Sequence, residues 1–276
     1  MKKAITIIAV VAAVVIIINV LFWGGWPRGL VGSGNLETEA YAFANFTEVE
    51  ISDTFEFEIE QSSSYSINVT TDDNVMDYVQ VSQEGQTLKI GLRTGLRIGS
   101  VTLSIGFGIF PRLESVTLKA SVTMPQLREL TVSGASRGTV SEFSSTEDLN
   151  VKVSGASRVT GDITAGDAAI DVSGASRVTG DITAGNVEFG ISGASTIQLE
   201  GSADDMVASV SGASHLNLDA FTLNNADVNF SGASSGTVNL NGRLDANLSG
   251  ASTLWYIGEP TMGDINTSGA STISKK

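Results

Sequence analysis

The stretch Ser154-Gly155-Ala156-Ser157-Arg158-Val159-Thr160-Gly161-Asp162-Ile163-Thr164-Ala165-Gly166 recurs, almost letter for letter, as Ser173-Gly174-Ala175-Ser176-Arg177-Val178-Thr179-Gly180-Asp181-Ile182-Thr183-Ala184-Gly185. Working outward, its opening tetrapeptide Ser-Gly-Ala-Ser occurs eight times. It begins at Ser133-Gly134, Ser154-Gly155, Ser173-Gly174, Ser192-Gly193, Ser211-Gly212, Ser231-Gly232, Ser249-Gly250 and Ser268-Gly269. The steps are 21, 19, 19, 19, 20, 18 and 19 residues. A near-constant period of this size is the mark of stacked structural units, each burying its apolar face only against its neighbours.

The unit is β. Three residues before each tetrapeptide stand Leu130, Val151, Ile170, Phe189, Ala208, Val228, Ala246 and Ile265. One residue before stand Val132, Val153, Val172, Ile191, Val210, Phe230 and Leu248, with Thr267 the exception. The column between them is polar or small, so the period is 2 with one face inward. After the tetrapeptide the alternation resumes, as in Val159/Gly161/Ile163, Ile197/Leu199/Gly201 and Leu216/Leu218/Ala220. The small inward slot moves from coil to coil, which leaves room for a neighbour's large side chain. The tetrapeptide is then a corner: its Gly supplies the bend, its Ala is expected to point inward, and its Ser hydroxyls are expected to form ladders on local backbone groups. The fold class is all-β, a parallel β-helix or β-solenoid with coils of about 19 residues. At a strand spacing of ~4.8 Å, eight coils span roughly 38 Å.

The polar columns carry whatever chemistry the surface has. Four residues after each origin come Arg137, Arg158, Arg177, Thr196, His215, Ser235, Thr253 and Thr272. Two further on come Thr139, Thr160, Thr179, Gln198, Asn217, Thr237 and Trp255. The next outward column contains Asp162, Asp181, Glu200 and Asp219. Stacked like charges ~5 Å apart in water repel by about 1 kcal/mol each. A divalent cation with oxygen ligands would relieve the acidic column, so these four are the candidate metal ligands. The competing reading is a solvated stripe with side chains splayed apart. Carboxylates on a β-helix also raise glycan cleavage, but nothing singles out an acid and a base with separated pKa values. No catalytic residues and no cofactor are expected.

Composition narrows the rest. The 276 residues are 42% apolar, with no Cys, a single His, and 30 acidic against 16 basic residues for a net charge of −14. Disulfides and thiolate metal sites are excluded, and an acidic chain is unsuited to nucleic acid. Met1-Lys2-Lys3 precedes an apolar run over residues 4–23. Twenty residues make a helix of ~30 Å, the thickness of the bilayer core. The expectation is an uncleaved signal anchor over 1–28, with the amino terminus cytoplasmic and the rest outside, in a single-pass protein of the cell membrane. A cleaved signal peptide is the alternative. Removing Lys2, Lys3 and Arg28 leaves 13 basic against 30 acidic residues, an outer charge of −17. Residues 29–45 read as a tether, 46–130 as irregular β coils capping the solenoid, and 131–276 as the regular solenoid. Within 71–78, one short helix capped by Thr71 or Asp72 is expected.

From Phe46 to Lys276 the chain resembles the bacterial and archaeal head GIN domain family, also described as "putative auto-transporter adhesin". The resemblance rests on Phe46-Thr47-Glu48-Val49, Asp72-Asp73-Asn74, the Ser-Gly-Ala-Ser series and Gly161-Asp162-Ile163. It implies a right-handed parallel β-helix-like domain on an exported protein and brings no catalytic residues. The function expected is non-catalytic surface adhesion, binding or envelope scaffolding. Partners would be the membrane through residues 4–23, and envelope glycans or another surface protein. A sensory ectodomain working through a membrane partner is the alternative, and a carbohydrate-active enzyme the third.

Overall fold

A computed structural model describes residues 31–93, 96–98, 101–103 and 115–276. The apolar run over 4–23, and with it the expected anchor 1–28, lies outside the described residues. Among the described residues no helix is long and apolar enough to cross a membrane. The chain divides into two compact units. One comprises the described residues within Met1–Glu37, Thr71–Asp77 and Thr94–Thr117, and the other Thr38–Thr70, Tyr78–Arg93 and Leu118–Lys276.

The larger unit is a β-solenoid. Each regular coil contributes one strand before the tetrapeptide and one after it, and each strand pairs in parallel with its equivalents in the coils on either side. Ala168–Val172 pairs with Leu149–Val153 and with Val187–Ile191. Arg177–Thr183 pairs with Arg158–Thr164 and with residues 196–202 of Thr196–Val210. The register is set by the pleat, because a slip of one residue would turn every apolar side chain out to water. Burial alternates accordingly: Val151, Val153, Ile170, Val172, Phe189 and Ile191 are buried while Lys152 and Asp171 are exposed.

The interior is filled by pairing large with small. The Phe230 ring lies within 2.7 Å of where a side chain on Gly236 would begin, and the Phe57 ring takes the equivalent space over Gly138 in the adjoining coil. Phe189 and Phe221 meet edge to face, with centroids 6.4 Å apart at 74°, the arrangement that ring quadrupoles favour.

At the corners all eight tetrapeptide glycines have φ between +71° and +79°, the left-handed region that side chains resist. Coil-to-coil approach adds a second demand. Ala175 N donates to Gly155 O at 2.8 Å and Ala194 N to Gly174 O at 2.7 Å, so a Cβ on Gly174 would fall on the Gly155 carbonyl oxygen. The alanine does not point inward as expected. Ala135, Ala156, Ala175, Ala194, Ala213, Ala233 and Ala251 are all exposed. The second serine turns in instead: Ser136, Ser157, Ser176, Ser195, Ser214, Ser234 and Ser252 are at most 2% exposed. Val153, Ser157 and Val159 are separated by even steps, so the period-2 parity runs through the corner unshifted, and only the left-handed Gly155 leaves its inward slot for the surface. Among the described residues Ser157 Oγ has no hydrogen-bond partner, while other members of the column bond locally and along the stack. Ser234 Oγ donates to Ser231 O at 2.9 Å, Ser252 Oγ to Ser249 O at 2.7 Å, and Ser157 N to Ser176 Oγ at 3.3 Å.

The stack extends past the first tetrapeptide. Glu48–Ile51 pairs with Glu129–Val132 and Glu56–Gln61 with Arg137–Ser144. The corner between them is Ser52-Asp53-Thr54-Phe55, over which Ser133 N, Ala135 N and Arg137 N donate to Ile51 O, Asp53 O and Phe55 O. Asp53 has φ +68°, the glycine conformation. Its carboxylate accepts from Leu92 N at 2.7 Å and from Ser52 Oγ at 3.0 Å. The chain then leaves this coil and lays two further rungs on its far side, Thr87–Leu92 against Glu48–Ile51 and Leu118–Met124 against Glu56–Gln61, before Glu129–Val132 returns to the near side. Val79–Glu84 closes that end as an antiparallel partner of Thr87–Leu92.

In the smaller unit the organising group is Asp72, 1% exposed. Its carboxylate accepts from Gly34 N at 2.7 Å and Thr117 N at 2.9 Å, while Thr71 Oγ1 donates to Thr117 O at 2.6 Å. Leu96–Ile98 and Val101–Leu103 form an antiparallel pair. The short helix expected over 71–78 is a single 3-10 turn, Met76–Tyr78.

Candidate functional site

The strands after the corners carry the polar columns, and the ladder decides which side chains adjoin. Arg137, Arg158, Arg177, Thr196 and His215 are successive register partners, as expected. His215 Nδ1 lies 2.8 Å from Ser235 Oγ of the next coil. The threonine column also stacks: Thr139, Thr160 and Thr179 are partners, and Thr160 Oγ1 and Thr179 Oγ1 share a hydrogen bond of 3.1 Å.

The acidic column is shorter than expected. Asp162, Asp181 and Glu200 are register partners, but Glu200 pairs with Ala220, not with Asp219. The ladder shifts between Gln198 and Glu200, whose partners Asn217 and Ala220 lie in the coil with a tetrapeptide step of 20 residues. The extra residue is a bulge. It also turns Ala220 out to solvent and puts Phe221, 0% exposed, in the inward slot. Asp219 lies 2.5 Å from Lys276 Nζ. Asp162 Oδ1 accepts from Asp181 N at 3.4 Å. Among the described residues no cluster of three His, Asp or Glu side chains is placed to hold a metal ion.

A second ladder has no counterpart in the sequence reading. Six residues before five consecutive tetrapeptides, those from Ser154 to Ser231, stand Asp148, Asp167, Asn186, Asp205 and Asn225. The side-chain oxygens of Asp148, Asp167 and Asn225 accept from backbone amides of the next coil: Asp167 N to Asp148 Oδ1 at 3.0 Å, Asn186 N to Asp167 Oδ1 at 2.8 Å, and Arg243 N to Asn225 Oδ1 at 2.8 Å. These side chains tie down the other corner of each coil, as Asx groups do in turns. The regular recurrence of Asp or Asn at that offset is the signal that would have revealed them.

The arginine column continues into the first coils. Arg137 pairs with Glu56, and Glu56 with Lys119 on Leu118–Met124. Here the surface forms a groove of about 530 Å³ lined by Lys119, Glu56, Arg137 and Arg158, by Glu58, Thr139, Thr160 and Ser121, and by Asn68 and Thr70 of Ser66–Asp72. Elsewhere on this unit several cations have carboxylate partners: Lys89 with Glu84 at 2.8 Å, Lys152 with Glu129 at 3.0 Å, Arg243 with Asp245 at 2.6 Å, Arg128 with Glu147 at 3.5 Å. Lys119 reaches Glu56 at 3.8 Å. Among the described residues Arg137, Arg158 and Arg177 have no carboxylate within 4.0 Å. Three stacked, exposed guanidiniums without a salt-bridged carboxylate form a built-in anion-attracting strip on an acidic protein.

Comparison with known proteins places this architecture. A structure from Parabacteroides distasonis described as a putative lipid binding protein is 22% identical, with a TM-score of 0.79 over 90% of this chain and 100% of that one. A putative adhesin from Parabacteroides merdae is 17% identical, with a TM-score of 0.77 over 90% and 99%. A putative adhesin from Bacteroides fragilis is 18% identical, with a TM-score of 0.61 over 90% and 100%. At these identities the likeness is one of fold. No curated protein matches the sequence. The family model described as "Putative auto-transporter adhesin, head GIN domain" matches residues 45–260, and the chain belongs to that family.

Proposed function

We propose that this protein is a non-catalytic surface-binding protein, held at the outer side of the cell membrane by residues 4–23, whose solenoid makes many weak contacts with polymers of the cell envelope. The observation that carries the reading is the exact in-register repetition of exposed polar side chains, Arg137/Arg158/Arg177 beside Thr139/Thr160/Thr179. Repeated identical contacts suit a repeating partner, because each further contact on the same polymer is intramolecular and adds avidity without a deep pocket. The family description and the names of the similar structures, adhesins and a lipid binding protein, agree with a binding role. Asp162, Asp181 and Glu200 stand exposed on an open face, where no apolar pocket would shift one carboxyl against another.

The test is capture of envelope polysaccharide by the full chain in detergent micelles, with glycan length followed over time. Capture without shortening, retained in Asp162→Asn/Asp181→Asn, is the expected result. Shortening of the glycan that is lost in those variants would make the protein an enzyme. Absence of capture, with one membrane protein co-purifying in stoichiometric amount, would make it a regulatory ectodomain.

A further inference from the structure

We propose that the groove over Lys119, Arg137 and Arg158 is a binding site for an acidic glycan strand, a saccharide chain bearing carboxylates, lying across the coils along the arginine column. This rests on the surface-binding reading above and gives it a site and a ligand class.

Three features of the groove select this chemistry. First, Arg137, Arg158 and Arg177 are consecutive register partners, so their guanidiniums recur at the rung spacing of ~4.8 Å. An extended strand with regularly placed carboxylates can meet them one after another, each as a bidentate fork. Second, these guanidiniums lack a carboxylate partner among the described residues, whereas Lys152, Arg128 and Arg243 on the same unit have one. A ligand carboxylate would supply the missing counter-charge. Third, the groove is not uniformly basic. Glu58, Asn68 and Thr160 line it too, and Glu58 would repel a dense polyphosphate or an anionic lipid surface. The same carboxylate and amide accept and donate hydrogen bonds to sugar hydroxyls. Sparse negative charge among many hydroxyls is the composition of a uronic-acid oligosaccharide.

The site is open and shallow, so occupancy of a single anion would be weak and screened by salt. Affinity would come from several rungs acting together. The cations therefore matter as a row, and removing two should weaken binding more than proportionally to charge.

The probe is a galacturonate tetrasaccharide titrated into the full chain, with its methyl-esterified form, which keeps the ring hydroxyls and removes the charge, as control. Binding of the acid form is expected, weakened at least about tenfold by esterification and again by Arg137→Gln/Arg158→Gln, because each guanidinium–carboxylate contact is worth about a factor of ten. Lys152→Gln, a cation on a different strand, should leave it unchanged. Thermal melts of the double variant matching those of the wild type would show that a lost signal is not lost folding. The inference is overturned if acid and ester bind alike, if the double variant binds like the wild type, or if only phosphatidylglycerol vesicles bind in an arginine-dependent way. It is also overturned if the tetrasaccharide fails to bind while the same preparation still captures envelope polysaccharide. That last result leaves the surface-binding reading standing; failure of both assays removes both.

Discussion

The corner at Gly174 and the corner at Asp53 turn the chain through the same left-handed residue, φ +79° and +68°, yet differ in what lies beyond them. Gly174 is packed between like neighbours: its carbonyl accepts from Ala194, and a Cβ on it would strike the Gly155 carbonyl oxygen. Asp53 closes the first coil, where the rung beyond is Thr87–Leu92 and not another tetrapeptide. With no glycine corner there, the side chain has space and a task, which is to accept from Leu92 N. Regular coils are thus held by close backbone approach, and the terminal coil by a side chain that finishes hydrogen bonds the repeat no longer supplies. End protection of this kind is what a solenoid requires.

The comparison can be broken first at the core, which both regions share. Val172→Asp places a charge in a site 1% exposed and should cost about 4 kcal/mol or more in chemical denaturation. Asp171→Asn, one residue earlier and exposed, should change little. Equal effects would overturn the assigned register.

At the corners themselves, Gly174→Ala should cost about 2–3 kcal/mol, from the left-handed backbone and the blocked approach to Gly155 together. Asp53→Gly should cost about 1 kcal/mol, since relief of the same backbone conformation offsets part of the lost acceptor. If Asp53→Gly proves the more damaging, the terminal coil depends on that carboxylate more than the regular coils depend on their glycines.

Acid sharpens a further contrast. The Thr117 and Gly34 amides hold the Asp72 carboxyl below the usual carboxylate range. A depressed carboxylate contributes stability above its unfolded pKa, near 4, and that contribution is lost as pH falls through its lower folded value. Amide exchange at Gly34 and Thr117 should therefore accelerate as pH is lowered from about 4, after correction for intrinsic rates, and Asp72→Asn should abolish that pH dependence. The regular corners, built on Ser hydroxyls and Gly backbone, should show no such dependence. The smallest expected effect is Ala175→Ser, within about 0.5 kcal/mol because the alanine faces solvent. A cost near that of a core substitution would contradict its exposed position.

Much of this was legible because a β-rung repeats every structural demand. The inward column from Val132 to Leu248 and the outward column from Arg137 to His215 could be written down from spacing alone, as could the stack they form. Irregular steps were legible only as numbers. The 20-residue step from Ser211 contains the bulge that removes Asp219 from the acidic column, but a count does not say where the extra residue sits. The corner at Ser52-Asp53-Thr54-Phe55 escaped because it shares no glycine with the repeat, although Val49, Ile51, Phe57 and Ile59 flank it at the same offsets. The groove escaped for a related reason: Lys119 and Glu56 reach the arginine column only through rungs that are out of chain order.

By itself, then, the sequence determined the secondary structure, the parallel stacking of equivalent residues and the parity of the strands, because period-2 burial and a fixed step leave one register that keeps apolar side chains from water. Only the tertiary structure decided that the corner glycine leaves its inward slot, where bulges interrupt the columns, and that a stretch from residue 118 onward lies beyond residue 56 and not after it. Those outcomes depend on how backbones approach one another across coils, an interaction between distant segments that no local pattern of residues encodes.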